Sequence, residues 1–287
     1  MTRLPINKTP KVYVGGAFIR SESARTFPLK DAAGNFFANI PQCTRKDLRN
    51  AVEAAAKTGP GWAKRTPYNR GQIIYRLGEM LEARKADMAD ALRVGGATKA
   101  AAAKEITATV DRLIYYAGWT DKYEAVLGSV NPVAAPYFNF TVTEPMGIVG
   151  VLAPEEAPLL ALVSLVAPII TSGNTVVALA SSSQPYPAIV LGEMLATSDL
   201  PGGVVNLLTG FRKEILPTMA THTHLRALAG VASAEERKAL RLGAAESVKR
   251  AKFHAAEEPV DWFSDQAQSL YEIRDYVEFK TTWHPVG

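Results

Sequence analysis

The sequence predicts a doubly wound α/β fold, a parallel sheet of about five strands with helices on both faces. The first observation behind this is one strand–helix–strand stretch. An apolar run from Met146 to Ala153, bounded by Pro145 and Pro154, has the length and composition of a buried strand. The next segment is apolar almost all round (Leu159, Leu160, Leu162, Val163, Leu165, Val166, Ile169, Ile170) and stops at Ser172-Gly173. Thr175–Ala180 then reads as a second buried strand, and such a βαβ unit closes right-handed into a parallel sheet. The second observation is that the alternation continues. Ile189–Leu195 reads as helix, Val204–Leu208 as strand, Ile215–Ala220 as helix, Leu225–Leu228 as strand and Glu235–Val248 as helix, a Rossmann-like order. The third is bulk: 287 residues, 47% hydrophobic and 21% charged, supply a real core. Ligands of open α/β sheets sit at the carboxyl ends of the strands, so Pro154–Pro158 is where chemistry is expected.

The elements follow in order. Val12–Phe18 alternates and turns at Gly15-Gly16, predicting a short hairpin; Arg25–Ile40 predicts a second, turning at Asp31–Gly34. Thr44 caps a helix, with Asp47 three residues later and Leu48 and Val52 on its apolar stripe. One longer amphipathic helix follows Pro67, with Ile73, Ile74, Leu77, Leu81, Met88 and Leu92 at helical spacing until Gly95-Gly96. A third starts near Ala101 and carries Ile106, Val110, Leu113 and Ile114, so three helices precede the βαβ core. Tyr137–Thr143 alternates: Phe138, Phe140 and Val142 point one way and Asn139, Thr141 and Thr143 the other, as in a half-buried strand. Near the end, Leu270–Tyr276 predicts a short helix and Val277–Trp283 a strand. A strand after a finished sheet needs a partner, either Tyr137–Thr143 or another subunit.

Composition narrows the class. The formal charge of +4 is spread without a Lys/Arg cluster, so no nucleic-acid partner is expected. The longest nearly apolar run is shorter than the ~20 residues of a membrane span, and the N-terminal residues carry no apolar signal core. One cysteine, Cys43, fits a cytoplasmic setting.

Several motifs share one resemblance. Glu144-Pro-x-Gly147, Gly173-Asn-Thr-Val-Val177, Asp199-Leu-Pro-x-Gly203-Val-Val-Asn206 and Thr209-Gly-Phe211 resemble, in order and spacing, the cofactor-binding domain of the aldehyde dehydrogenase superfamily. Val12–Phe18, Pro60-Gly-Trp62, Arg70 and Tyr115-Tyr-Ala-Gly-Trp119 resemble its N-terminal region, and Val277–Trp283 its closing oligomerisation strand. Pro154–Leu160, Val163–Ala167, Thr197–Asn206 and Asp261–Ala267 are similar to the degenerate second module of the two-module, family-16-type members. The resemblance implies residues 1–256 as an N-terminal and Rossmann domain, with 137–143 as an oligomerisation strand, and residues 257–287 as an oligomerisation tail.

The departures from the family pattern decide the expected function. The family's catalytic domain, with its nucleophilic cysteine, lies between the cofactor domain and the closing strand. Here Lys252-Phe-His-Ala255 leads directly to the tail, and Cys43 lies far upstream. Glu156 takes the place of the asparagine that steadies the oxyanion, where a carboxylate repels developing negative charge. The ribose-binding lysine and glutamate fall on Leu179 and Ser182. The phosphate-contacting turn reads Leu228-Ala229-Gly230-Val231, without its serine, and the general-base glutamate aligns with His254. Leu152, Pro154, Leu179, Gly210, Gly230 and Val231 are what remains of a cofactor site, and glycines persist for backbone reasons alone. Glu155 and Glu156 read as acids favoured by the dipole of the following helix, and His222 and His224 as a surface turn rather than a metal pair.

The expected function is therefore a catalytically inactive subunit with a structural or regulatory role and no metal or cofactor. It would form a homo-oligomer, or a hetero-complex with a full-length aldehyde dehydrogenase, through Tyr137–Thr143 and Val277–Trp283. The alternative is an NAD- or NADP-binding component of a split enzyme. A free-standing aldehyde dehydrogenase needs a nucleophile that the sequence does not supply.

Overall fold

The computed structural model describes residues 8–286. β1 (Val12–Val14) and β2 (Ala17–Ile19) form the first hairpin, and β3 (Thr26–Lys30) and β4 (Phe36–Pro41) the second. The second turn is built on Asp31, whose carboxylate accepts the backbone N–H of Ala33 and Asn35. α1 (Arg45–Ala63) begins in the expected capping box, with the Thr44 N–H donating to the Asp47 carboxylate at 2.8 Å.

The single helix expected after Pro67 is two helices, α2 (Pro67–Ala83) and α3 (Lys85–Val94). Arg84 leaves helical geometry at φ −109° and ψ 26°. Its guanidinium reaches Glu193 at 2.8 Å, which ties the bend to the rest of the molecule. Periodicity continues across such a bend because both halves keep the same apolar stripe. α4 (Lys99–Trp119) and the short α5 (Tyr123–Leu127) bring the N-terminal helices to five rather than three.

β5 (Ser129–Asn131) and β6 (Tyr137–Pro145) lead into β7 (Ile148–Leu152), α6 (Leu160–Thr171) and β8 (Thr175–Leu179), the predicted βαβ unit. α7 (Tyr186–Leu195), β9 (Val205–Leu208), α8 (Arg212–Thr221), β10 (Leu225–Ala232), α9 (Ala234–Ala245) and β11 (Arg250–Ala255) complete the alternation. The main sheet runs β11-β10-β7-β8-β9-β1-β2. Its first five strands are parallel, and the N-terminal hairpin extends it antiparallel through Tyr13 opposite Leu207. Chain order reverses between β7 and β10, which puts the topological switch point beside Leu152.

Every residue of α6 is buried, which is why its sequence shows no polar face. A buried helix leaves its last carbonyls without water, so other side chains must supply donors. Trp62 Nε1 donates to the Ile170 carbonyl at 3.0 Å and Arg70 Nε to that of Thr171 at 3.3 Å. Both residues belong to the N-terminal motifs, and this capping is a physical reason for them.

Residues 256–276 run back across the molecule and include α10 (Leu270–Arg274), before β12 (Val277–Pro285) pairs antiparallel with β6 over nine residues. The resulting sheet has the order β12-β6-β5. Its orientation inverts the usual rule. Asn139 and Thr143 on the polar face of β6 are 2% and 8% exposed, whereas Phe138 and Val142 are 46% and 43% exposed. The expected half-buried strand therefore turns its apolar face outward. No helix among the described residues is long and apolar enough to cross a membrane.

Candidate functional site

Register brings the sequence-predicted positions together at the carboxyl end of the sheet. Leu152 of β7 lies opposite Leu179 of β8 and Gly230 of β10, while Val231 lies opposite His254 of β11. Leu152 and Leu179 are each 1% exposed and Val231 is 4% exposed, so the strand ends meet as packed hydrocarbon. Pro154 follows β7 and is also buried.

The loop between Pro154 and Pro158 is where the structure adds most. Glu155 is not held by the dipole of α6. Its carboxylate reaches across to the turn after β8, accepting the backbone N–H of Ser182 (3.1 Å) and Ser183 (2.9 Å) and the hydroxyls of Ser181 and Ser183 (2.6 Å each). Desolvation opposes its ionisation, but the hydrogen bonds from Ser181, Ser183 and the turn outweigh that and hold its pKa below the usual carboxylate value. The acid that does serve the α6 N-terminus comes from α4: Glu105 Oε1 accepts the N–H of Leu159 and Leu160 at 2.9 and 3.1 Å. Burial pushes the Glu105 pKa up, against those two N–H donors. Glu156, by contrast, is exposed and makes no hydrogen bond among the described residues.

The N-terminus of α9 shows the same self-sufficiency. In a dinucleotide-binding sheet such a helix end presents its N–H groups to a pyrophosphate. Here Ser233 and Glu236 close a capping box, and Glu257 accepts the Ala234 N–H at 2.9 Å. Arg212, from the start of α8, bridges Glu236 (2.8 Å) and the Ala153 carbonyl (2.7 Å). Two of these groups are legible as an S-x-x-E capping pattern, but Glu155, Glu257 and Arg212 carry no sequence signal of their partners.

The two glycines of the predicted site have packing reasons. Gly230 sits at φ 127°, and a Cβ there would come within 2.0 Å of the Leu152 carbonyl oxygen across the strand pair. Gly210, at φ 139°, lies against the Cys43 backbone, 3.1 Å from where its Cβ would be. Cys43 itself is fully buried, and burial together with the Asp47 charge pushes its thiol up to about 12. A thiolate is therefore disfavoured there at neutral pH.

His254 faces the Trp262 ring edge-on, with centroids 5.6 Å apart, in a cavity of about 370 Å³ that Ser164, Asp261 and Glu272 also line. Burial lowers its pKa, with Glu272 opposing and Lys252 assisting the shift. The structure therefore separates the two degenerate catalytic positions: Glu156 stands in solvent, while His254 is half-buried beneath the connector. Residues 256–276 are fixed to this side by Arg112, which donates to Ser164 Oγ (2.7 Å) and to the carbonyls of Trp262 (2.9 Å) and Ala267 (2.6 Å). His222 and His224 meet edge to face, with ring centroids 5.9 Å apart, and no group of three potential metal ligands forms among the described residues.

A dinucleotide offers phosphates, which seek N–H groups and cations, and ribose hydroxyls, which seek polar side chains. At this edge the N–H groups of Ser182, Ser183, Ser233 and Ala234 are already bonded to Glu155, Glu236 and Glu257, Arg212 is paired, and Leu179 and Val231 are apolar. The residues present do not fit an anionic cofactor.

Residues 18–255 match the aldehyde dehydrogenase family. Retinal dehydrogenase 2 of Gallus gallus is 31% identical over 84% of this chain and 47% of its own length, and an aldehyde dehydrogenase of Alternaria alternata is 31% identical over 76% and 44%. The NAD+ complex of aldehyde dehydrogenase from Bacillus cereus superposes with a TM-score of 0.82, at 26% identity, over 86% of this chain and 51% of that one. The chain spans about half the length of the curated relatives it matches.

Proposed function

Given that this chain belongs to the aldehyde dehydrogenase family, we propose that it is a catalytically inactive member, a structural or regulatory subunit. It works by assembly through Tyr137–Thr143 and Val277–Trp283, with copies of itself or with a full-length aldehyde dehydrogenase, in a cytoplasmic setting. Its resemblance to the degenerate second module of two-module members belongs to the same proposal. The observation that carries it is the self-filled strand edge, where the chain's own carboxylates take the donors that a nucleotide would need. Two further features support it. The interval between β11 and β12, where the family resemblance would put a catalytic domain, is the 256–276 connector. The one cysteine is fully buried against Gly210, and burial pushes its thiol up to about 12, away from reactivity.

The second reading, an NAD(P)-binding component of a split enzyme, draws on the NAD+ complex of the Bacillus cereus relative. Titration of NAD and NADP against thermal stability separates the two. A ligand that binds the native state raises stability by RT ln(1 + [L]/Kd), so ~1,000 Kd of cofactor adds ~4 kcal/mol. The expected result is no change at millimolar cofactor, and a saturable rise would replace the first reading with the second. Assembly is tested by solution mass and by co-purification with a full-length family member. A chain that stays monomeric and captures none would remove the proposed role.

A further inference from the structure

β12 is the edge strand of the small sheet, and among the described residues no strand pairs with its outer side, although Arg250 donates to the carbonyl of its first residue, Val277, at 2.6 Å. Natural sheets blunt such edges with short strands, prolines or outward lysines, because an open row of N–H and C=O groups recruits another strand. Here the edge is nine residues long, its one proline stands at the last position, and its one lysine, Lys280, is paired with Glu144. Phe279 and Trp283 are 46% and 58% exposed on it. Phe279, Thr281 and Trp283 share one face: Thr281 Oγ1 bonds to Thr141 Oγ1 at 2.9 Å, and the Trp283 ring meets Tyr137 at 5.9 Å. Glu278, Lys280, Thr282 and His284 share the other.

We infer that the partner of this edge is a second copy of the same strand, joined antiparallel about a two-fold axis at Thr281 to make a continuous six-stranded sheet. The inference rests on the reading above that this sheet is the assembly surface, and adds the occupant and the register. The strand's own pattern selects both. With the axis at Thr281, Phe279 of one copy lies opposite Trp283 of the other, twice. Glu278 lies opposite His284, twice, and Lys280 opposite Thr282. Residues 278–284 all find a counterpart, while Val277, buried and bonded to Arg250, stays outside the new ladder. Moving the axis to Lys280 sets that lysine against itself, and moving it to Thr282 sets Lys280 against His284; like charges directly opposite are unfavourable. An axis at Phe279 joins Glu278 to Lys280, but leaves residues 282–285 without partners. Identical patches meeting about a two-fold axis form a closed interface, so the edge is consumed and a dimer, not a fibre, results.

Cysteine crosslinking of the full chain reads this register directly, because the native Cys43 is buried and silent. At the axis, Thr281→Cys puts two thiols opposite each other at the ~4.5–5.5 Å Cα spacing of antiparallel partners, within disulfide range. Under mild diamide oxidation T281C should give a covalent dimer, with yield at least about tenfold above T282C or K280C alone. A mixture of K280C and T282C should crosslink where neither does by itself, and that mixture also serves if T281C folds poorly. Light scattering of the unmodified chain should give twice 30.9 kDa. A dimer whose K280C, T281C and T282C variants crosslink equally or not at all overturns the register while leaving assembly through this sheet in place. A monomer at every soluble concentration overturns the inference, and co-purification with a full-length relative then decides separately whether the proposed role survives.

Discussion

Glu155 shows how one side chain can close a ligand site. Two backbone N–H groups and two hydroxyls converge on it from the Ser181–Ser183 turn, a donor set that would suit a phosphate or ribose equally well. Its folded pKa lies below its ordinary value, so its contribution to stability is present above the unfolded value of about 4.3 and is lost as pH falls through the folded value. Glu155→Gln should therefore be less stable than wild type at neutral pH. Thermal melts should show that gap narrowing as pH drops below about 4. A gap independent of pH would mean that the carboxylate charge is not what holds the turn.

Among the elements, the connector and β6 carry the two least ordinary arrangements. Arg112 is 4% exposed and anchors the connector through backbone carbonyls rather than a carboxylate. Arg112→Leu fills the space but strands the Trp262 and Ala267 carbonyls, a loss of about 2–4 kcal/mol. Denaturant melts should report it, and limited proteolysis should find its new cuts within residues 256–276. β6 behaves oppositely, because its apolar side chains are the exposed ones. Phe138→Ser with Val142→Thr should change stability by no more than about 0.5 kcal/mol, yet weaken capture of a full-length relative if this face is where the partner sits. A large drop in Tm without loss of association would contradict that assignment.

For the molecule as a whole, the tail is part of the core. Trp262, Ile273, Tyr276 and Val277 are between 0% and 4% exposed and join the same apolar cluster as α6 and β7. Four such side chains contribute roughly 6–12 kcal/mol by burial, comparable to the whole stability of a domain, about 5–15 kcal/mol. A chain ended after residue 256 should therefore lose its cooperative thermal transition, followed by near-ultraviolet circular dichroism. Retention of a native-like transition would show that the helical and Rossmann parts stand alone. The flat NAD and NADP titration belongs to this scale too, since the closure of the edge draws on α8, α9, the β8 turn and the connector together.

The sequence by itself determined the strand–helix alternation from Met146 to Val248 and the parallel sheet it implies, whereas β11 (Arg250–Ala255) lies beyond the last element it marked. Apolar runs of strand length, an all-apolar helix and the Thr44 capping box are local signals, and local signals survive without tertiary contacts. The family resemblance pointed to Leu152, Leu179, Gly230, Val231 and His254, and the strand register sets those residues side by side. Periodicity could not see the bend at Arg84, where the apolar stripe runs on unbroken while the backbone turns. Alternation along β6 distinguished its two faces but not which one is buried, because period two is the same read from either side. Only the tertiary structure decided that Glu155 is bound to the Ser181–Ser183 turn and Glu257 to α9. Those pairings join residues 23 to 28 positions apart, through backbone N–H groups that every sequence carries and that no composition marks.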